Sequence, residues 1–581
     1  MSPNGAWRSA NSLSHAGVRL SIGLALGQGL DEVLNHPLAA SAAPLPTRRE
    51  DLLARLTEPQ VWDLLVVGGG INGVGIARDL AGRGWRVLLC EQDDLGSHTS
   101  SASTKLIHGG LRYLEHGAFG LVRKALMERE RLLRSAPHIM RPLSFVLPHD
   151  PRTRPAWMIR LGLWFYDHLA PRDFLSGSAA VDLSQSPLGQ PLHRQWRQGF
   201  VYTDGWVDDA RLVLLCALDA VEQGAHVLPR TRCEALHAYG GGWRATLVRR
   251  DALTDQATRT LSVQARAVVN AAGPWAEQLL RRDMGVPAVA PGGRQGATQA
   301  AHLRLVKGSH IVVPRLFEHD HAYLLQGEDR RVVFAIPYER DFTLIGTTDV
   351  DHAGDPGDVR VSEDEVRYLC AAVGRYLRRP ITPEDVVWRF AGVRPLLDDA
   401  QGAAAAVTRD YRLETQTMPA PWLTVWGGKL TTFRVLAEQA ADRIGTLLGD
   451  PRSRWTTEAF LPGGLLQSGS DTALIPASPV AQMTAFQARL RQQHPWMDLG
   501  LARRWSRAYG SRVAMMLDGV HSRADLGAEV APDLYEAELF YLRRHEWALT
   551  ADDVLWRRTK LGLRYSPAQR QAVADWLAAQ G

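Results

Sequence analysis

Three consecutive stretches near the start of the chain carry the parts that grip a dinucleotide: Asp63-Leu-Leu-Val-Val67, Gly68-Gly-Gly70-Ile-Asn-Gly73 and Arg86-Val-Leu-Leu-Cys90-Glu91. The first, apolar and β-branched, predicts a buried parallel strand. Of the glycines, Gly68 makes the tight turn, Gly70 lets the backbone approach a pyrophosphate, and Gly73 permits the next helix to pack closely on the strand. Unpaired N–H groups at that helix start, aided by its dipole, favour phosphate. Val74, Ile76, Ala77, Leu80 and Ala81 supply the buried face of the helix. Glu91 ends the second strand 18 residues after Gly73 (91 − 73). A carboxylate there can accept hydrogen bonds from the ribose hydroxyls of the adenosine. A glycine motif alone is a weak signal; strand, turn, helix, strand and acid in this order make it a dinucleotide site.

The glycines do not distinguish a flavin from a nicotinamide. Two later passages favour FAD. Ala267-Val-Val-Asn-Ala-Ala-Gly-Pro-Trp275 reads as a strand entering a small-residue turn. Leu423-Thr-Val-Trp-Gly-Gly-Lys-Leu-Thr-Thr432 reads as a strand, a Gly-Gly turn and a helix start. A second helix N-terminus of this kind suits negative charge on a reduced flavin ring, and Gly428 would let the backbone reach that ring. Ser101 and Lys105 fall in the polar loop after the second strand, placed for the pyrophosphate or the flavin edge. No HExxH, zinc spacing or EF-hand loop is present, so no metal is expected. Cys90, Cys216, Cys233 and Cys370 have no CxxC spacing and form no disulfide framework in so long a chain, which points to a reducing compartment.

The elements that must position these residues are an α/β body. Residues 1–59 read as a disordered N-terminal extension, rich in Ala, Ser, Asn and Pro. Its Val18–Leu30 stretch faintly imitates a signal peptide, but a dispensable extension or a misplaced start is the preferred reading. Residues 60–455 read as interleaved Rossmann-type FAD-binding and antiparallel-sheet substrate domains, with Arg331–Ile336 and Phe342–Gly346 as strands of the second sheet. Pro462–Ser470 is glycine- and serine-rich and reads as a linker. Residues 456–581 are expected to form an α-helical C-terminal domain, in which Glu538, Arg557 and Arg558 look like ordinary surface or interdomain charges. The formal net charge of +5 suits an anionic substrate, cofactor or membrane surface without choosing among them. No Lys/Arg run of the nucleic-acid-binding kind occurs, so no nucleic acid is expected. No stretch approaches the ~20 apolar residues of a membrane span.

The chain resembles the aerobic, FAD-dependent glycerol-3-phosphate dehydrogenases of bacteria, within the D-amino-acid-oxidase-like flavoproteins, from about Val61 to the C-terminus. The passages that carry the likeness are Thr99-Ser-Ser-Ala-Ser-Thr-Lys-Leu-Ile-His-Gly-Gly-Leu-Arg-Tyr-Leu-Glu-His116, Lys307-Gly-Ser-His-Ile-Val-Val313, Ile345-Gly-Thr-Thr-Asp349, Ala391-Gly-Val-Arg-Pro395, Thr408-Arg-Asp-Tyr411 and Gly427-Gly-Lys-Leu-Thr-Thr432. The resemblance implies FAD as cofactor, glycerol 3-phosphate as donor, dihydroxyacetone phosphate as product and a membrane quinone as acceptor. It further implies peripheral attachment to the cytoplasmic face of the inner membrane. The first 59 residues have no counterpart in it.

Such a site must clamp a dianion, accept a hydroxyl proton and hold a carbinol C–H against the flavin. Arginine suits the clamp because its planar fork bonds phosphate oxygens bidentately and stays charged. The matching positions are Arg112 with Tyr113, His310, Arg394, Arg409 and Lys429. By this likeness Arg394 and Arg409 hold the phosphate and hydroxyl end, Arg112 and Lys429 add positive field, and Tyr113 orients the hydroxyls. His310 is the expected proton acceptor, since an imidazole of reference pKa about 6.5 works as a base at neutral pH; a lone histidine in an apolar strand otherwise reads as a core residue. Trp157, Met158, Ile159, Leu161, Leu163, Trp164 and Phe165, among Arg152, Arg154, Arg160 and Arg172, read as an aromatic, basic helix for an anionic membrane. They read equally as a core or dimer helix, which keeps a homodimer among the expected partners. The rivals in function are a glycerol-3-phosphate oxidase using oxygen, an amino-acid or amine oxidase of the same fold, and a flavin-binding scaffold without activity.

Overall fold

A computed structural model describes residues 60–152, 154–284, 303–329, 331–397, 410–466 and 478–580, with the side chains of Arg112, Glu115, His116 and Met284 left aside. The expected N-terminal extension therefore lies outside the described residues, as does Arg409.

Two sheets carry the body. In the first, Val61–Val67 lies between Ala257–Asn270 and Val87–Cys90, parallel to both, and His226–Leu228 continues the parallel order beyond Val87–Cys90. Trp422–Trp426 lies parallel to Ala257–Asn270 on the other side, and Arg412–Gln416 closes that edge antiparallel. These strands are apolar almost without interruption because both faces are covered: Leu64, Leu65, Val66, Val268 and Val269 are fully buried. Helices Ile71–Gly82, Asp209–Glu222 and Phe433–Leu447 pack together on one face. The Thr231–Tyr239 and Gly242–Arg250 strands reach the same sheet through the long Ala257–Asn270 strand.

The second sheet has ten strands and is mostly antiparallel. Leu303–Pro314 pairs with Phe342–Gly346 on one side and Trp388–Leu397 on the other; Val332–Tyr338 follows Phe342–Gly346. One parallel pairing, Ala322–Gln326 with Met140–Pro148, joins these strands to Gln198–Val207. The expected substrate-side sheet is thus present, with the first of the two expected strands running Val332–Tyr338 instead of Arg331–Ile336.

Beyond Ser478 the chain is helical, with one short antiparallel pair, Glu529–Ala531 and Leu534–Tyr535. Its own core contains Trp505, Tyr509, Leu539, Leu542 and Val554. The three charges read as ordinary belong to this interior and its seam. Glu538 is fully buried and accepts from Trp505 Nε1 at 2.9 Å and Tyr509 Oη at 2.6 Å. Arg558, also buried, donates to Asp94 Oδ1 at 2.8 Å, and Arg557 to Asp94 Oδ2 at 2.5 Å. The described part of the expected linker is packed, not loose: a Cβ on Gly463 would stand 2.3 Å from the Tyr509 carbonyl oxygen, and one on Gly464 2.2 Å from that of Ser135.

Candidate active site

A cavity of about 300 Å³ opens at the C-terminal ends of the first sheet's parallel strands. Gly68 adopts φ +115°, and a Cβ there would lie 2.4 Å from the Ala271 carbonyl oxygen. A Cβ on Gly73 would lie 1.9 Å from the carbonyl oxygen of Gly68, so turn and helix meet only because both lack side chains. Glu91 is buried and accepts from the backbone N–H of Gly69 at 2.6 Å and of Asp93 at 2.9 Å. Burial raises its carboxyl above the usual range. Each oxygen keeps lone-pair capacity for a ribose hydroxyl.

Asn72, inside the first glycine turn, donates from Nδ2 to the Gly427 carbonyl at 3.0 Å and ties the two glycine turns together. Its Oδ1 is buried and has no hydrogen-bond partner among the described residues, an acceptor that a bound group can satisfy. Gly428 has φ +110°, and a Cβ on it would sit 2.7 Å from Asn72 Nδ2. Gly68, Gly70, Glu91, Gly428 and Lys429 all line the cavity; Ser101 and Lys105 do not. Ser97, Ser100 and Ser103 are on the wall instead, and the Ser100 hydroxyl accepts from the Ile71 N–H at 3.0 Å. Lys105 has φ +62° and is buried in an ion pair with Asp209 at 2.6 Å, at the start of helix Asp209–Glu222. Its ammonium also stands 5.2 Å above the Phe390 ring. Set against a dinucleotide, this donor set fits: backbone amides at a helix start, a buried acid for the ribose, and an open glycine turn opposite.

The second sheet brings His310 and Arg394 to one turn. Gly346 lies across from His310 in the strand register, and a Cβ on it would be 2.0 Å from His310 Cδ2. Directly after it, Thr347 Oγ1 accepts from Arg394 Nη2 at 2.8 Å, and Asp349 takes the other guanidinium nitrogen. Thr348 anchors this turn from below: its Oγ1 accepts from Ser309 N at 3.0 Å and donates to Glu365 at 2.8 Å. Glu365 also pairs with Lys307 at 2.8 Å. Gly308 leaves the space that Arg394 fills, for a Cβ there would stand 2.3 Å from Nη2. The Arg394 side chain remains 29% exposed.

His310 is 1% exposed, stacked on Phe390 at 4.9 Å with 9° between ring planes, and its Nε2 bonds the Thr104 hydroxyl at 2.9 Å. Nδ1 is buried and makes no hydrogen bond among the described residues. Burial, then the charges of Arg394 and Lys105, hold its pKa well below the ordinary histidine value. The ring is therefore neutral near pH 7 and keeps a lone pair for a proton. Where Thr104 accepts from Nε2–H, that lone pair is on Nδ1.

Lys429 meets Tyr113, its ammonium 3.9 Å over the ring centroid. Arg112 lies in the same six-residue 3-10 segment as Tyr113, Leu111–His116. Of these residues Lys429 lines the cavity, with Gly427, Gly428 and Pro395, whereas Tyr113, His310 and Arg394 do not; Ser103 and Pro395, which flank Thr104 and Arg394 in the chain, are the nearest lining residues in sequence. Thr104, Thr347, Asp349, Phe390, Asn72 and Ser100 were not singled out from sequence. All but the acid Asp349 are uncharged, each holds a neighbour, and all but Phe390 lie inside the motifs quoted above.

A dinucleotide cavity on a Rossmann-type sheet, with a buried imidazole and a cationic group beside it, defines a dinucleotide-dependent oxidoreductase. Residues 63–434 match the family described as FAD dependent oxidoreductase, and the chain belongs to that family; residues 456–579 match the C-terminal domain of alpha-glycerophosphate oxidase. The chain is 48% identical over 523 residues to the glycerol-3-phosphate dehydrogenase of Pseudomonas aeruginosa, covering 90% of this chain and 96% of that one. It is 46% identical over 522 residues to the D-erythritol 1-phosphate dehydrogenase of Brucella abortus, covering 90% and 98%. The crystal structure of the glycerol-3-phosphate dehydrogenase from Bacillus halodurans complexed with FAD superposes with a TM-score of 0.69 at 28% identity, covering 92% of this chain and 93% of that one.

Proposed function

We propose that the chain oxidises sn-glycerol 3-phosphate to dihydroxyacetone phosphate and delivers the electrons to a membrane quinone. Bound FAD supplies the two-electron acceptor for the carbinol hydride. The observation that carries the reading is the single turn Gly346–Asp349, which backs His310 on one side and holds Arg394 on the other. Arg394, fixed by Thr347 and Asp349 yet partly exposed, grips the phosphate or hydroxyl end with its remaining N–H groups. Lys429, over Tyr113, adds positive field, and Tyr113 orients the substrate hydroxyls. His310, neutral and dry, accepts the hydroxyl proton as the carbinol hydrogen leaves as hydride. Arg112 and Arg409 are kept in the same anion site from sequence alone.

The Brucella relative favours a second donor, D-erythritol 1-phosphate, which presents the same phosphate and a secondary alcohol on a chain one carbon longer. The test compares kcat/KM for both donors on the purified holoenzyme with a quinone analogue, with the product identified. Glycerol 3-phosphate is expected to win and to give dihydroxyacetone phosphate. Preference for the longer polyol would transfer the assignment, and stoichiometric peroxide in place of quinone reduction would make the enzyme an oxidase.

Peripheral attachment to the inner membrane from the cytoplasmic side belongs to the same proposal. It is supported by helix Ala156–His168, whose Trp157 is 65% and Trp164 49% exposed, with Met158, Leu161 and Phe165 exposed beside them. Exposure rules out the reading of this segment as a core helix. Among the described residues no helix is long and apolar enough to cross a membrane.

A further inference from the structure

The ring of His310 is the first of a continuous stack. Phe390 lies parallel to it at 4.9 Å; Trp388, two residues earlier on the same face of the strand, follows at 4.8 Å and 38°. Trp556 then stacks on Trp388 at 4.6 Å with 15° between planes. Trp556 belongs to another part of the molecule, the π-helical turn Asp553–Arg558 of the C-terminal helices. It is itself confined: Arg570 stands 5.1 Å from its centroid, and a Cβ on Gly562 would come within 2.8 Å of Cζ2.

The imidazole needs this support. Its χ2 is a soft torsion between sp³ and sp² atoms, so the rotamer alone does not fix the ring plane. Thr104 fixes one edge and Gly346 closes another, leaving Phe390 to hold a face. Phe390 and Trp388 are half-buried in the molecule, and Trp556 stacks on Trp388, the outer of the two. The same π-helical turn also supplies Arg557 and Arg558 to Asp94, three residues beyond the ribose-binding Glu91. A π-turn of this kind recurs where a side chain must be aimed.

We propose that Trp556 is a positioning residue for the oxidation: through Trp388 and Phe390 it sets the plane of the His310 imidazole, which makes the C-terminal helices part of the reaction's geometry. The inference rests on His310 as the proton acceptor. A base displaced by a fraction of an ångström loses rate while the anion clamp, on the other side of the turn, keeps its grip.

The test is anaerobic single-turnover reduction of the bound flavin by glycerol 3-phosphate, measured across pH on the holoenzyme and on Trp556→Leu, Trp556→Phe, Trp388→Leu and His310→Asn. Trp556→Leu and Trp388→Leu are each expected to slow reduction by roughly tenfold with less than about a twofold change in half-saturating donor. FAD content should be unchanged, and the acid limb of the pH profile should move up toward the ordinary histidine value as water reaches the ring. Trp556→Phe, which keeps a flat ring, should restore most of the rate. Wild-type rate and pH profile in both leucine variants, or a rate loss matched by an equal loss of bound FAD, would overturn the proposal. A fast His310→Asn would instead remove the base assignment beneath it.

Discussion

Gly346 stands where a methyl group cannot. A Cβ on it would lie 2.0 Å from the His310 ring, inside a sheet with no slack, so Gly346→Ala must displace the imidazole or the turn that follows. Turnover is expected to fall by about 100-fold or more while FAD remains bound, since the dinucleotide turn is on the other sheet; near-normal turnover would place the chemistry elsewhere. Arg394 lies on the far side of the same turn and acts on the substrate's charge. Arg394→Ala removes charge-assisted hydrogen bonds, so KM should rise about 10- to 100-fold with FAD retained. An unchanged KM would take Arg394 out of the site. Asp349 pairs with this guanidinium and offsets its charge, so the clamp works through the N–H groups that Asp349 and Thr347 leave open.

At the scale of elements, the first glycine turn could be read from sequence because its chemistry is local: strand, turn, helix and acid are consecutive, and the backbone conformation of each follows from its residue type. The loop after the second strand could not be read so finely. Ser101 and Lys105 were placed on the cofactor, whereas Ser100 bonds the helix start and Lys105 is buried against Asp209, a partner 104 residues away that periodicity does not reveal. The aim of one serine rather than its neighbour depends on a short irregular turn, Thr99–Ser101, that carries no sequence signal. His310 and Arg394 were legible as candidates through their motifs, but the turn that joins them is a product of strand register. The surface helix Ala156–His168 is ambiguous for a different reason: its residue types fit a core or a dimer contact as well as a bilayer, and exposure removes only the core. Replacing Trp157 and Trp164 with Ser should reduce the affinity for anionic vesicles, read by co-sedimentation, by about 100-fold or more, because each indole loses about 1.5–3 kcal/mol of burial in the interface. Undiminished binding by the folded variant would reject this face as the membrane contact.

For the whole molecule, the seam between the α/β body and the C-terminal helices is built from buried charge. Arg211 donates to Glu546 at 3.0 Å and Lys560 to Asp208 at 3.2 Å, both across that seam. His138 is buried in the same region, against Gly463 and Gly510, with its pKa lowered to about 3 by burial and then by Arg211 and Arg512. It stays neutral in the folded chain, whereas the unfolded chain takes up a proton below pH 6.5 or so. Its contribution to stability is therefore complete above that value and is lost as pH falls toward 3. Between pH 7 and pH 5 the loss is about 2 kcal/mol, and His138→Phe should lose that much less over the same interval in urea unfolding. Equal losses in the two proteins would assign the acid sensitivity to other groups. The direct test of the central claim, that a phosphorylated polyol is oxidised against a flavin held here, is anaerobic addition of glycerol 3-phosphate to the purified yellow protein. Loss of the oxidised-flavin absorbance with one dihydroxyacetone phosphate formed per flavin is the expected result. A flavin that stays oxidised at saturating donor would contradict it.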